Sequence, residues 1–369
     1  MRGALIPAPT QETGRFAIAH RPAGTGEKPS KNGPFTFRKQ SPPDSSHDGM
    51  IRAAQGRAVM GEYMKGWWRY GSGFVFAGVL SLAMVSAASA QVVVAIDGDT
   101  AHATISLTGN NGVTYDADVT IIFDTPENLT AQSLNLTAEV VDPAAIQPRL
   151  PPGLCVLVIL CDPPSVDPAF PVMITVEPID FPWLFYSGFD QNEDGSGDLS
   201  FRNTYQFEVH THDLPYTEGS LYRLFKAPVG GSFEDVTTDV LQGSMRARGR
   251  GGAFSQFIVT SDPRDQLLLS SAKIAELNLR ILAAVIDDGL RLDLLALLAK
   301  VDALLLIDLV GALDALDQLI AAIEGGAGTT IANVWSAHHD VTNDAGEMDA
   351  LAQTLRFSMN RSLGGAANP

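Results

Sequence analysis

Residues 253–289 read AFSQFIVTSDPRDQLLLSSAKIAELNLRILAAVIDDG, and the rule that spaces apolar side chains changes inside this stretch. Up to Asp262 apolar and polar residues alternate, the period of two that a strand shows when one face is buried. Past Pro263 the period becomes about 3.6, that of a helix with an apolar stripe. The chain therefore divides near Pro263 into a pleated part and a helical part.

Upstream, QVVVAID, HATISLTG, VTYDADVTIIFD, SLNLTAEVVD, PVMITVEP, LSFRNTYQFEVHTHDL and LYRLFKAP share the alternation, separated by Gly, Pro, Asn and Asp. Short strands punctuated in this way predict an antiparallel β-sandwich of the immunoglobulin type over residues 91–262. Asn110-Asn111-Gly112 suits a turn with positive φ, and Pro228-Val229-Gly230-Gly231 breaks a strand. RARGRGG, residues 246–252, reads as a basic, glycine-rich hairpin turn, since a phosphate loop needs a helix N-terminus after it and this one lies between strands.

Downstream, AKIAELNLRILAAVIDDG, LRLDLLALLAKVDALLLID and LVGALDALDQLIAAIEGG predict three helices, punctuated by Asp287-Asp288-Gly289, by Asp308 and by Gly325-Gly326. A further helix is expected from about Asp344 to Met359. The expected fold is thus mainly β plus α, the sandwich followed by an α-helical bundle over 263–369. ALLLIDLVGAL, residues 303–313, is too short to cross a bilayer and contains Asp308, so it reads as a buried helix. Leucine covers so much of each helix that self-association through an unburied strip is a second reading of the same stripe.

The first 90 residues are of another kind. KGWWRYGSGFVFAGVLSLAMVSAASA, residues 65–90, has a basic start, an apolar core and a small-residue end at Ala88-Ser89-Ala90. This is the layout of a signal peptide cleaved after Ala90, which makes Gln91 the expected mature start and the periplasm or exterior the expected location. The other reading of Phe74–Ala90 is a membrane anchor of near-minimal length; with cleavage no stable span remains. Residues 1–59 are rich in Pro, Gly, Ser and Lys without an apolar period, as expected of a disordered or untranslated extension, and Met60 or Met64 suits the signal peptide better as a start.

Residues 1–90 hold 11 Lys/Arg and 5 Asp/Glu, which leaves 14 basic against 37 acidic side chains beyond them, a net charge of −23. Such a surface repels nucleic acid and suits a soluble protein or a cation binder. Cys155 and Cys161, within LPPGLCVLVILCDPP, form an even pair in an oxidising compartment, which suggests a disulfide. An extended segment would hold them about 20 Å apart. A bond therefore requires the chain to turn back, as the flanking prolines permit; two buried free thiols are the alternative.

Two stretches carry metal-ligating residues. In FDQNEDGSGDLSF, residues 189–201, Asp190, Asn192 and Asp194 stand at positions one, three and five of a calcium loop, Gly195 at six and Asp198 at nine. Phe201 occupies position twelve, where such a loop has a bidentate Glu, so calcium would be weakly held, and a hairpin with Asx turns is the plain alternative. In NTYQFEVHTHDL, residues 203–214, alternation puts Tyr205, Phe207, Val209 and Thr211 on one face and Glu208, His210 and His212 on the other. Two imidazoles about 7 Å apart on a strand can share a zinc ion if a neighbouring strand adds ligands. Zinc is the less expected of the two metals, and solvated or hydrogen-bonded strand residues are the alternative. Nucleophilic catalysis lacks a marker: there is no G-x-S-x-G elbow, and neither cysteine has a histidine nearby in sequence. His338-His339-Asp340 reads as a polar loop or a helix start.

FEVHTHDLPYTEGSLYRLFKAPVGGSFEDVTTDVLQGSMRARGRGGAFSQFIVTSD, residues 207–262, and TTIANVWSAHHDVTNDAGEMDALAQTLRFSM, residues 329–359, resemble segments of an uncharacterised family of exported bacterial proteins. In that family a β domain precedes a helical tail. The resemblance implies export and the two-part architecture; it assigns no activity, cofactor or site residue. The expectation is therefore an exported, non-catalytic binding or structural protein whose partner is a protein or cell-envelope component. The competing expectation is a metal-dependent enzyme using Glu208, His210 and His212.

Overall fold

Alternation in the first half builds strands in quick succession. The computed structural model describes residues 90–154, 162–178, 198–217, 219–241, 244–339 and 341–364. Strands β1 (Ala90–Asp97), β2 (Thr100–Thr108) and β3 (Thr114–Glu127) form an antiparallel meander. Its turns depend on Gly98 (φ 58°) and Gly112 (φ 76°), a left-handed conformation that costs glycine nothing. The short helices α1 (Ala131–Leu134) and α2 (Pro143–Ile146) flank β4 (Leu136–Val140). Then come β5 (Ser165–Val166), β6 (Val172–Val176), β7 (Ser200–Thr211), β8 (Tyr222–Ala227), β9 (Glu234–Asp235), β10 (Thr237–Leu241), β11 (Met245–Gly251) and β12 (Gln256–Ser261). The helical half contains α3 (Gln266–Ala283), α4 (Asp288–Leu305), α5 (Leu309–Gly326), the strand β13 (Val334–Ser336) and α6 (Asp344–Ser362).

Two antiparallel sheets result. The first runs β1-β2-β3-β7-β11-β10, and β13 also pairs with β7; the second runs β4-β6-β12-β8-β9, and β5 pairs with β12. Between them lies a core in which Phe207 stacks on Phe257 at 3.9 Å and Tyr205 on Phe254 at 4.5 Å. Each such ring contributes about 1.5–3 kcal/mol through burial alone. The chain is thus the expected antiparallel sandwich followed by helices.

Three details differ from the sequence reading. RARGRGG is not a turn: residues 245–251 are β11, inside the first sheet between β7 and β10. Its glycines face the core because a Cβ at Gly251 would overlap the Tyr205 ring and one at Gly249 would meet the Val236 carbonyl. Second, residues 263–369 are not all helix. Val334–Ser336 return to pair with Ser200–Arg202, since Trp335 buries its indole against Phe201 at 5.3 Å and Phe254 at 5.2 Å. Third, α1 and α2 are helical turns ahead of Pro263, capped by Thr130 and Asp142.

The helices start where capping groups stand. Asp265, Asp287 and Asp308 accept backbone N–H groups at the starts of α3, α4 and α5, and Asn343 does so for α6, each worth about 1 kcal/mol. Their apolar stripes meet in a second core of Leu277, Ile281, Leu294, Leu316, Leu319, Met348 and Leu355. Sandwich and helices belong to one compact unit. Lys273 of α3 donates to Asp235 of β9 at 2.8 Å, both buried, and also to the Thr354 carbonyl and the Ser358 hydroxyl of α6. Among the described residues no helix is long and apolar enough to cross a membrane.

Candidate functional site

Strand β7 divides its faces as the alternation requires: Tyr205, Phe207, Val209 and Thr211 are buried, and Gln206, Glu208 and His210 are half-buried on the outer face. Register then decides what these meet. Glu208 lies between Thr120 and Arg248, and His210 between Asp118 and Arg246. The Arg248 guanidinium forms an ion pair with Glu208 and stands 3.9 Å from Asp239. His210 Nε2 is 2.5 Å from the Ser244 hydroxyl, its Nδ1 is 3.7 Å from Asp118, and its ring lies edge-on to that of His212 at 4.7 Å. Burial lowers the pKa of His210, and the Arg246 and His212 charges add to this. Glu208, His210 and His212 thus share a face as read from the sequence, while the first two are engaged by Arg248 and Ser244. Among the described residues no group of three or more His, Cys, Asp or Glu is placed to hold a metal ion.

The calcium-loop residues Asp190, Asn192 and Asp194 lie outside the described residues, as do Cys155 and Cys161. Asp198 is described, and its carboxylate meets His338 Nε2 at 2.5 Å. Ala90 opens β1 opposite Leu107.

A cavity of about 270 Å³ opens where the outer face meets α5 and α6. Asp124, Asn203, Thr204 and Arg250 line it from the sheet, and Ile323, Glu324, Ala327, Ala345, Gly346 and Asp349 from the helical side. Its walls are held by close backbone packing. Asn343 donates to the carbonyls of Asn203 at 2.6 Å and Gly252 at 2.9 Å, and a Cβ on Gly346 would overlap that same Asn203 oxygen. Asn203 takes φ 57°, which aims its carbonyl at the helix, and its side chain accepts from Asn333 at 3.0 Å. Asp124 accepts from both the N–H and the hydroxyl of Thr204. Arg250 reaches Asp349 at 3.2 Å, and Asp349 also accepts from Gln353.

Beside it a smaller cavity of about 30 Å³ collects Lys226, Glu234, Glu276, Arg280, Glu347 and Arg250. Arg280 pairs with Glu347. Burial and a hydrogen bond shared with Glu234 push Glu276 up to about 8, and burial holds Lys226 below the usual lysine range. Sequence reading missed both cavities. The one available signal was the row of Arg246, Arg248 and Arg250 at alternate positions, a strand pattern set aside as a turn.

Fold and cavity define a class: an antiparallel sandwich carrying a helical bundle, with a polar cleft at the junction. The chain belongs to the family described as "Family of unknown function (DUF6689)", whose model matches residues 77–362. No curated protein and no solved structure matches the chain.

Proposed function

We propose that the chain is an exported bacterial binding protein of the cell envelope or exterior, with the cleft between the first sheet and α5–α6 as its ligand site. The observation that carries the reading is this cavity of about 270 Å³, where charged and hydroxyl groups from both halves converge on walls fixed by backbone contact. A concave, pre-formed site with few placed polar groups is what small-ligand recognition requires. Export rests on the leader pattern at 65–90 and its small-residue end at Ala90. Weak calcium binding through Asp190, Asn192, Asp194 and Asp198 belongs to the same proposal, supported by their spacing. So does self-association through the helices, supported by the exposure of Leu279, Leu292, Leu306 and Ile307.

Native mass spectrometry of protein taken from its own cell envelope tests the cleft. We expect a retained small molecule in the wild type and none in Ala327→Trp, whose ring would fill the cavity. Equal retention by both proteins refutes the site. N-terminal sequencing of the same material tests export: Gln91 is expected, and a start before Met60 overturns it.

A further inference from the structure

We propose that Ser244 is a nucleophile served by His210 and Asp118, and that the outer face of the first sheet hydrolyses unhindered carboxylic esters. The inference does not rest on the binding reading, because Arg246 of this site and Arg250 of the cleft are about 13 Å apart along β11.

Pairing register assembles the group. Asp118 of β3 stands opposite His210 of β7, which stands opposite Arg246 of β11. Ser244 precedes Arg246 by two residues. The polar atoms follow in line: Thr104 donates to Asp118 Oδ1 at 3.3 Å, Asp118 Oδ2 faces His210 Nδ1 at 3.7 Å, and His210 Nε2 meets Ser244 Oγ at 2.5 Å. Hydroxyl, imidazole and carboxylate in this order are what general-base activation of a serine needs, and the base–carboxylate contact commonly tightens only when substrate binds. Burial first, then the Arg246 and His212 charges, favour the neutral imidazole, the form that can accept a proton, and they outweigh the Asp118 and Glu208 carboxylates, which favour the charged form. Arg246 brings positive charge beside the His210 imidazole, and its Nε is buried without a hydrogen-bond partner among the described residues. That charge suits the oxyanion formed on attack.

The step balances without a cofactor. Ser244 Oγ attacks the ester carbonyl carbon while its proton passes to His210 Nε2. The carbon–oxygen bond to the alcohol then breaks, and His210 returns the proton to the departing alkoxide. Water, losing a proton to His210, attacks the acyl-serine, and the carboxylic acid leaves as Ser244 regains its hydrogen. Asp118 is 62% exposed, so the group opens to solvent and a small ester can reach it.

The test uses the full exported chain, a fluorophosphonate probe and p-nitrophenyl acetate. We expect one adduct, mapped by mass spectrometry to Ser244, and ester hydrolysis that Ser244→Ala abolishes. His210→Gln should slow labelling at least about 100-fold, the usual effect of losing a general base. The labelling rate should rise with pH through an inflection below the ordinary histidine range, and the inflection should vanish in His210→Gln. Circular dichroism checks that each variant folds; if one does not, the wild-type adduct decides alone. No adduct at Ser244, adducts spread over several serines, or an unchanged labelling rate in His210→Gln would overturn the proposal.

Discussion

Replacing Glu276 with Gln should flatten the pH dependence of stability. Glu276 lies in the smaller cavity with Glu234 and Lys226 of the second sheet, Arg280 of its own helix, Glu347 of α6 and Arg250 of β11, and the charge of Lys273 also reaches it. Burial first, and the hydrogen bond and charge of Glu234 next, raise its pKa from 4.5 to about 8. Between those values the folded chain holds a proton that the unfolded chain has released, so stability falls as pH rises through the window and levels off above it. At about 1.4 kcal/mol per pKa unit the whole separation corresponds to about 5 kcal/mol. Solvent screening of a half-buried group and sharing of the proton with Glu234 reduce this to roughly 2 kcal/mol. A glutamine keeps a donor for Glu234 and cannot ionise. Urea unfolding at pH 5.5 and 8.5 supplies the comparison. The wild type should lose about 1.3 kcal/mol more than Glu276→Gln between the two values, about two-thirds of the whole effect because the window opens a unit below pH 5.5, and the variant should be the more stable protein at pH 8.5. A difference below about 0.5 kcal/mol, the scatter of such extrapolations, would refute the shared proton.

Gly346→Ala should destabilise by about 3 kcal/mol by driving a methyl group into the Asn203 carbonyl, while Gly325→Ala, which meets nothing within 4 Å, should be neutral or slightly stabilising; paired thermal melts separate the two, and equal effects would contradict the docking of α6. Lys273→Met should cost about 3–5 kcal/mol, since it strands the buried Asp235 carboxylate, and the loss should persist in 1 M salt, unlike that of a surface pair. Millimolar Ca²⁺ should raise the thermal midpoint of the wild type and not that of Asp194→Ala, and an unmoved wild-type midpoint argues against the calcium loop.

The division near Pro263 was readable because each half buries its own apolar surface, and burial imposes the period of the element. The helix boundaries were readable for a local reason as well: Asp287 and Asp308 mark starts because their carboxylates satisfy N–H groups three residues on. What defeated the reading was information held across the chain. Nothing near Trp335 says that its indole belongs against Phe201, more than a hundred residues earlier, yet that contact makes 334–336 a strand inside a helical half. In RARGRGG the glycines looked like turn residues. They are glycines because Tyr205 and the Val236 carbonyl occupy the space a side chain would need.

The same distinction governs the site. That Glu208, His210 and His212 share a face follows from a period of two, which any strand obeys. What they do depends on register: sliding β11 by two residues against β7 would replace Arg246 with Arg248 opposite His210. That register is fixed on the other face, where Tyr205 covers Gly251 and a side chain at Gly249 would strike the Val236 carbonyl. The buried face, built for packing, thus decides which polar groups meet on the exposed one. Gly251→Ala should therefore disturb the His210–Ser244 contact while touching neither residue, and a His210 imidazole resonance left unchanged in that variant would show that the two faces are independent.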